Sequence, residues 1–323
     1  MKISFQLFLF LVILSNHSFS QKIVEDYKPL KNDKLRIGIG DKDFLPFIQS
    51  GYTLMLPEDK PTKGVLIFLE DSGYDKKNKS AKQLYTQASK RGFAVLSVSS
   101  EIPFDFYFAK SSMLATHQFI QKAFAKHKLP NKNIFFLGAS LVGHRAMQYI
   151  KFMKGSKDKF ELNIKGIVIC NFTLDWTRKW YQHTREIRIN RNNLWEAKFI
   201  NYMLETHLEG TPKTKPKRYH RFSPYSYFDE KNRNIQIYQN YTIRAYIEPA
   251  IKYRLKTYKT LYENNTTDIV GFLAELKLAG NENTELIVLQ PKDNLSPKKT
   301  AQSTWDAINK DELMDWVQKQ IEK

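Results

Sequence analysis

Three kinds of residue in this 323-residue chain could do chemistry together: a serine, an acid and a base. The serine is Ser140, within "NIFFLGASLVGHRAMQYI" at residues 133–150. An apolar run that ends in Gly-x-Ser and passes directly into a helix pattern holds its serine in a sparsely populated backbone conformation. That turn exposes Oγ for attack on a carbonyl. The backbone N–H of Leu141 would then face a developing oxyanion. Strand and helix backbones crowd together at such a turn, so small residues are needed on both sides, and Gly138 supplies one. Two places after the serine stands Val142, with Gly143 one place later. A β-branched side chain there is expected to strain the turn or shift the serine. A serine hydroxyl is a poor nucleophile until a base within hydrogen-bond reach takes its proton, and a third group must orient that base.

The elements that must position these residues alternate. Apolar runs rich in β-branched and aromatic residues occur at 35–40, 52–57, 64–70, 92–100, 133–140, 164–172, 235–248 and 284–290. Several are apolar on both faces, as strands are when helices cover both sides of a parallel sheet. Helical periodicity fills residues 81–91, 111–126, 144–153, 250–262, 268–278 and 310–321. This alternation predicts an α/β fold with right-handed crossovers. Residues 175–234 break it: no strand pattern is present, but Trp176, Trp180, Trp195, Tyr202, Tyr219, Tyr225 and Tyr227 are, with a helix over 194–207. An insertion after the sixth strand lies over the carboxyl ends of the strands, where such sheets bind ligands. The segment reads as a cap.

With this ladder around Ser140, the chain resembles the α/β-hydrolase superfamily. Within it the resemblance is to secreted bacterial serine hydrolases that pair a "GxSxGG(H/R)" elbow with a C-terminal segment containing "HPHSW". It runs from about residue 51 to the end, anchored by the elbow and by the tail. The resemblance implies an α/β-hydrolase fold, a mostly parallel sheet of about eight strands with helices on both faces and a helical cap after the sixth. It divides the chain into a signal peptide at 1–20, core at 21–175, cap at 176–234 and core at 235–323. It makes Ser140 the nucleophile position, with Glu248 in "AYIEPAIKY" as the acid and Asp175 in "NFTLDW" as a second candidate. Gly73 and Tyr74 in "FLEDSGYD" join Leu141 as oxyanion donors.

The base is where this sequence departs from the family. Trp305 and the following "DAINKDELMDWV" match what comes after "HPHSW", and counting back puts Ser303 in place of the triad histidine and Ala301 in place of the other. The last histidine of the chain is His220. The resemblance therefore implies a degenerate serine hydrolase that binds a small molecule or glycan beneath its cap. One alternative is an active hydrolase of ester or amide bonds whose base is His183, His207 or His220 from the cap. His144 is expected to point away from Ser140, at a position where the resemblance already implies a basic residue or histidine, and His117 and His127 read as structural.

Composition constrains the remaining readings. The first residues, "MKISFQLFLFLVILSNHSFSQ", place one lysine before a short apolar run and small polar residues, as a secretory signal peptide does, so the expected location is secreted or periplasmic. No other segment is apolar enough to cross a membrane. Cys170 is the single cysteine, which excludes an intramolecular disulfide. The net charge of +18 is spread along the chain, so a nucleic-acid partner is not expected. The densest basic cluster, residues 211–221, carries another alternative, an envelope protein binding anionic glycans or lipids. No metal-ligand spacing and no cofactor motif is evident.

Overall fold

The computed structural model describes residues 22–28, 50–58, 60–70, 79–99, 106–156, 160–189, 194–256, 258–290 and 300–322, with only the backbone at 300–303. The candidate signal peptide, the run at 35–40, Gly73 and Tyr74 lie outside the described residues. One sheet organises the rest. Its strands are β1 (Lys22–Lys28), β2 (Ser50–Leu56), β3 (Gly64–Glu70), β4 (Phe93–Ser99), β5 (Ile134–Ala139), β6 (Ile164–Cys170), β7 (Thr242–Ile247) and β8 (Thr284–Val288). Their spatial order is β1-β2-β4-β3-β5-β6-β7-β8. The pairs made by β2 are antiparallel, and every pair from β4 to β8 is parallel.

The central strands are apolar on both faces because helices cover both. Along β5, Ile134 and Phe136 point into one core and Phe135 and Leu137 into the other, as a period of two requires. The first core is closed by α2 (Lys110–His127), α3 (Ser140–Gly155) and α9 (Asn265–Leu278). The second is closed by α1 (Lys79–Lys90) and α11 (Lys310–Glu322). Between β6 and β7 the described residues contain α4 (Trp176–Arg188), α5 (Leu194–His207), α6 (Pro216–Phe222) and α7 (Ile235–Tyr238).

Several elements differ from the sequence pattern for identifiable reasons. Strand β1, "KIVEDYK", is an edge strand whose exposed Lys22, Glu25 and Lys28 hide it from a search for apolar runs. The run at 235–248 is a strand only from Thr242. Its first residues form α7, where Tyr238 is fully buried and donates a hydrogen bond to the Met147 carbonyl at 3.1 Å. The helix expected at 250–262 breaks into α8 (Ile251–Lys256) and a 3-10 turn at Leu261–Glu263, whose N-terminus Thr260 caps together with Glu263. Helix α4 and a further helix, α10 (Thr300–Ala307), have no counterpart in the periodicity. Polar and arginine side chains replace the apolar stripe of α4, "WTRKWYQHTREIR".

A buried ion pair fixes α4 to α9. Arg178 and Asp268 of α9 are both almost inaccessible, and Arg178 Nη2 donates to Asp268 Oδ2 at 2.8 Å while Nε donates to Oδ1. Asp268 Oδ2 also accepts from the backbone N–H groups of Leu174 and Asp175, both at 3.1 Å, and Arg178 Nη1 donates to the Tyr262 carbonyl at 2.7 Å. Removing one partner leaves the other charge buried and uncompensated, which costs about 3–5 kcal/mol. Asp268→Ala is therefore expected to lower the unfolding free energy by about that amount in urea melts followed by circular dichroism.

Candidate active site

The turn from β5 to α3 is as tight as a backbone allows. A Cβ added to Gly138 would lie 2.4 Å from the Gly143 nitrogen and 2.7 Å from the Val142 carbonyl carbon, and one added to Gly143 would lie 2.2 Å from the Phe172 ring. Ala139 is extended at φ −118° and ψ 153°, and the next residue, Ser140, sits at φ +52°. For a residue with a Cβ, that left-handed conformation costs about 1–3 kcal/mol and persists only where the surroundings impose it. The exposed Ser140 side chain stands at the carboxyl end of the central strand. Here the structure corrects the expectation for Val142. The residue pressed against Gly138 and Phe172 is Gly143, and half-buried Val142 packs with Ala139 and Trp305 against the second core. The turn forms with valine at that position.

Leu141 is in the first turn of α3, where backbone N–H groups have no acceptor within the helix. Its side chain packs into a cap cluster with Phe106, Trp176, Trp180 and Leu204, so the cap rests beside the serine.

Glu248 follows β7 at the same end of the sheet and is buried, 6% exposed. Its Oε2 accepts a hydrogen bond at 3.3 Å from the hydroxyl of Thr304, a buried residue of α10, and that hydroxyl accepts one at 3.3 Å from Asn171 Nδ2. Asn171 ends β6 in the left-handed region at φ +43°. Neither Thr304 nor Asn171 is marked by the sequence pattern; the one available signal is that Thr304 adjoins the position of the missing histidine. The backbone of Ser303 lies in α10, while its side chain lies outside the described residues.

Comparison with solved structures identifies the fold. The chain is similar to Pyrococcus horikoshii acylaminoacyl peptidase, with a TM-score of 0.57 and 12% identity, over 97% of this chain and 43% of that one. It is similar to carboxyl esterase 2 from the mycorrhizal fungus Tuber melanosporum, with a TM-score of 0.54 and 12% identity, over 94% of this chain and 88% of that one. It is also similar to an esterase from Rhizomucor miehei, with a TM-score of 0.53 and 12% identity, over 93% and 83% of the two chains. The fold is that of the α/β-hydrolases. This chain thus spans less than half the length of the peptidase. No family model matches the sequence, and no curated protein matches it.

Four of the described histidines, His117, His127, His144 and His207, have other partners in the structure. His144, one turn into α3, is 1% exposed, with Nδ1 accepting from Trp176 Nε1 at 3.1 Å and Nε2 directed at the Phe106 carbonyl at 3.2 Å. Those two bonds fix a neutral ring with its proton on Nε2. Burial, opposed by the bond to Phe106, lowers its pKa to about 3. In the cap, His183 is buried beside Asn201, and burial together with Lys179 holds it far below the usual histidine range. His207 stacks on Phe108 at 4.5 Å, and His220 is half-buried in α6. His117 meets the Tyr149 hydroxyl at 2.7 Å and His127 that of Tyr52 at 3.1 Å.

Asp175 is likewise committed to structure. It caps α4, accepting from the N–H groups of Thr177 at 2.9 Å and Arg178 at 3.2 Å, and its other oxygen accepts from the Tyr227 N–H at 2.9 Å. Burial, then the charge of Asp268, raises its pKa above the usual carboxylate range. No group of three or more histidine, cysteine, aspartate or glutamate residues that could hold a metal ion occurs among the described residues.

Two measurements follow from these partners. Thr304→Val removes a donor from a buried carboxylate and is expected to lower stability by about 1–3 kcal/mol in urea melts. For His144 the folded pKa lies below the unfolded one, near 6.5, so the unfolded chain takes up a proton that the folded chain refuses. Its contribution is complete above about pH 6.5 and is lost as pH falls toward 3. His144→Phe is expected to flatten the acid limb of the stability profile relative to the parent. Asp175 acts in the opposite sense and is common to both proteins, so it cancels in that comparison.

Proposed function

We propose that this protein is a serine-hydrolase scaffold that has lost its general base and is retained to bind a small molecule or glycan under the cap. The observation that carries the reading is the partner of Glu248. The acid's role in a hydrolase triad is to orient a histidine, and in this chain its carboxylate accepts instead from the Thr304 hydroxyl. The chain has no histidine after His220, and a hydroxyl cannot take the proton of Ser140 at neutral pH. The cap cluster of Phe106, Trp176, Trp180, Tyr219 and Phe222 packs with Leu141, the residue after Ser140, which sets the cap beside the serine and supports a ligand site beneath it. The apolar run near the start of the chain supports export as part of this reading. No helix among the described residues is long and apolar enough to cross a membrane.

One observation favours a competing reading, an active hydrolase with an unorthodox base: Ser140 is exposed and held at φ +52°, the presentation a nucleophile needs. Turnover of p-nitrophenyl acetate separates the two. The parent protein is expected to hydrolyse it no faster than Ser140→Ala. Ser303→His is expected to raise turnover by about 10² or more, the usual contribution of a general base, in a manner that depends on Ser140. Val142→Gly is expected to add little to that gain, since the elbow already forms with valine. Parent activity that depends on Ser140 would favour the active enzyme.

A further inference from the structure

The segment after Glu248 carries an apolar stripe that the core does not use. Residues Ile251, Leu255, Tyr258 and Tyr262 recur at helical spacing, the pattern by which a helix buries one face. In the structure that face is turned outward. Ile251 is 62% exposed, Leu255 76%, Tyr258 60%, Leu261 47% and Tyr262 43%, and α8 has no buried residue. Among the described residues this is the longest local run of large exposed apolar side chains. Lys252, Arg254, Lys256 and Lys259 are interleaved with them, and residues 249–262 contain no acid.

The segment is built to stand out, not left loose. Its neck is closed by Asn264 Nδ2 and Arg254 Nε, which both donate to the Pro249 carbonyl, at 3.0 and 3.2 Å. The Lys259 N–H donates to the Arg254 carbonyl at 2.8 Å. Arg185 of the cap pairs with Glu263, and Lys259 Nζ pairs with Glu186 of the cap at 2.9 Å. Apolar and tyrosyl side chains on a braced loop, with lysines between them, match the interface of an anionic bilayer. The aliphatic and aromatic groups enter the acyl boundary, tyrosines favour the headgroup level, and lysine stems lie along the apolar surface with their charges on lipid phosphates.

We propose that residues 251–256 and 258–262 form a docking face for anionic lipid bilayers, at the same end of the sheet as Ser140 and Glu248. This surface is distinct from the basic cluster at 211–221, which has charge without large exposed apolar groups. The proposal is independent of whether Ser140 reacts. A protein partner of ordinary composition fits less well, because the exposed Lys252 and Lys256 beside the apolar groups would each need a matching acid from it.

Cosedimentation of the full folded chain with phosphatidylcholine vesicles, with and without about one-third phosphatidylglycerol, tests the proposal. Partition onto the anionic vesicles, weakened by salt, is expected. Ile251→Asp with Leu255→Asp is expected to lower it at least about tenfold. Lys252→Gln with Lys256→Gln should lower it by about 25-fold, at about fivefold per lysine near the surface. Lys213→Gln with Lys215→Gln and Lys217→Gln is expected to leave it within about twofold, since those residues lie outside the face. Circular dichroism of each variant confirms folding. No partition by the parent, or partition that follows the 213–217 set and ignores the 251–256 sets, overturns the proposal. So does a parent dimer, seen by sedimentation, that Ile251→Asp with Leu255→Asp dissociates, since the face would then serve self-association.

Discussion

The backbone contact between Gly138 and Gly143 is the constraint on which the site depends. With strand and helix this close, the chain has to reverse direction within the residues between them, and the reversal is absorbed at Ser140, φ +52°. The helix that begins there cannot withdraw, because Gly143 lies flat on Phe172 and His144 is bonded on one side to Trp176 and on the other to Phe106. The same helix therefore does two jobs. It presents the serine at the centre of the sheet, and through Leu141, His144 and the ring of Trp176 it provides the floor on which the cap packs. The Arg178–Asp268 pair then locks the first cap helix from behind.

Presentation of a nucleophile and activation of it are separate physical requirements, and the proposed function divides them. The strained turn is present, at a standing cost in stability. On that reading the proton acceptor is lost; in the structure Glu248 accepts from a hydroxyl of α10 that itself accepts from Asn171. A buried carboxylate that accepts from the Thr304 hydroxyl, which in turn accepts from Asn171, has a partner other than a histidine. Such a site can keep its shape for ligand binding without chemistry.

Much of the core was legible because its signal is local. Runs such as "GVLIFLE" and "GFAVLSVSS" are apolar on both faces and could be little else than interior strands, and "NIFFLGAS" leading into a helix marks Ser140. What escaped depends on tertiary partners. Strand β1 has alternating charges and exists by pairing with β2. Helix α4 is held by Asp175 at its N-terminus and by Arg178 on Asp268, contacts invisible in a hydropathy pattern. Periodicity at 250–262 was real but misled in the opposite direction, since its stripe faces solvent. The strain expected from Val142 was misplaced by one residue: only the three-dimensional packing tells that the close approach falls on Gly143. Thr304 escaped because a threonine beside a missing histidine carries no distinguishing signal until its hydroxyl is found on Glu248.

Whether Ser140 is activated is the claim on which the functional account turns, and reaction with a fluorophosphonate reports it without knowledge of the substrate. The protein and its Ser140→Ala variant would be incubated with the probe at neutral pH and the attached label quantified by intact mass. The account expects the two to be indistinguishable, with Ser140 exposed but unreactive. Stoichiometric labelling of the parent that vanishes in the variant would mean that a base reaches this serine, and would contradict the account.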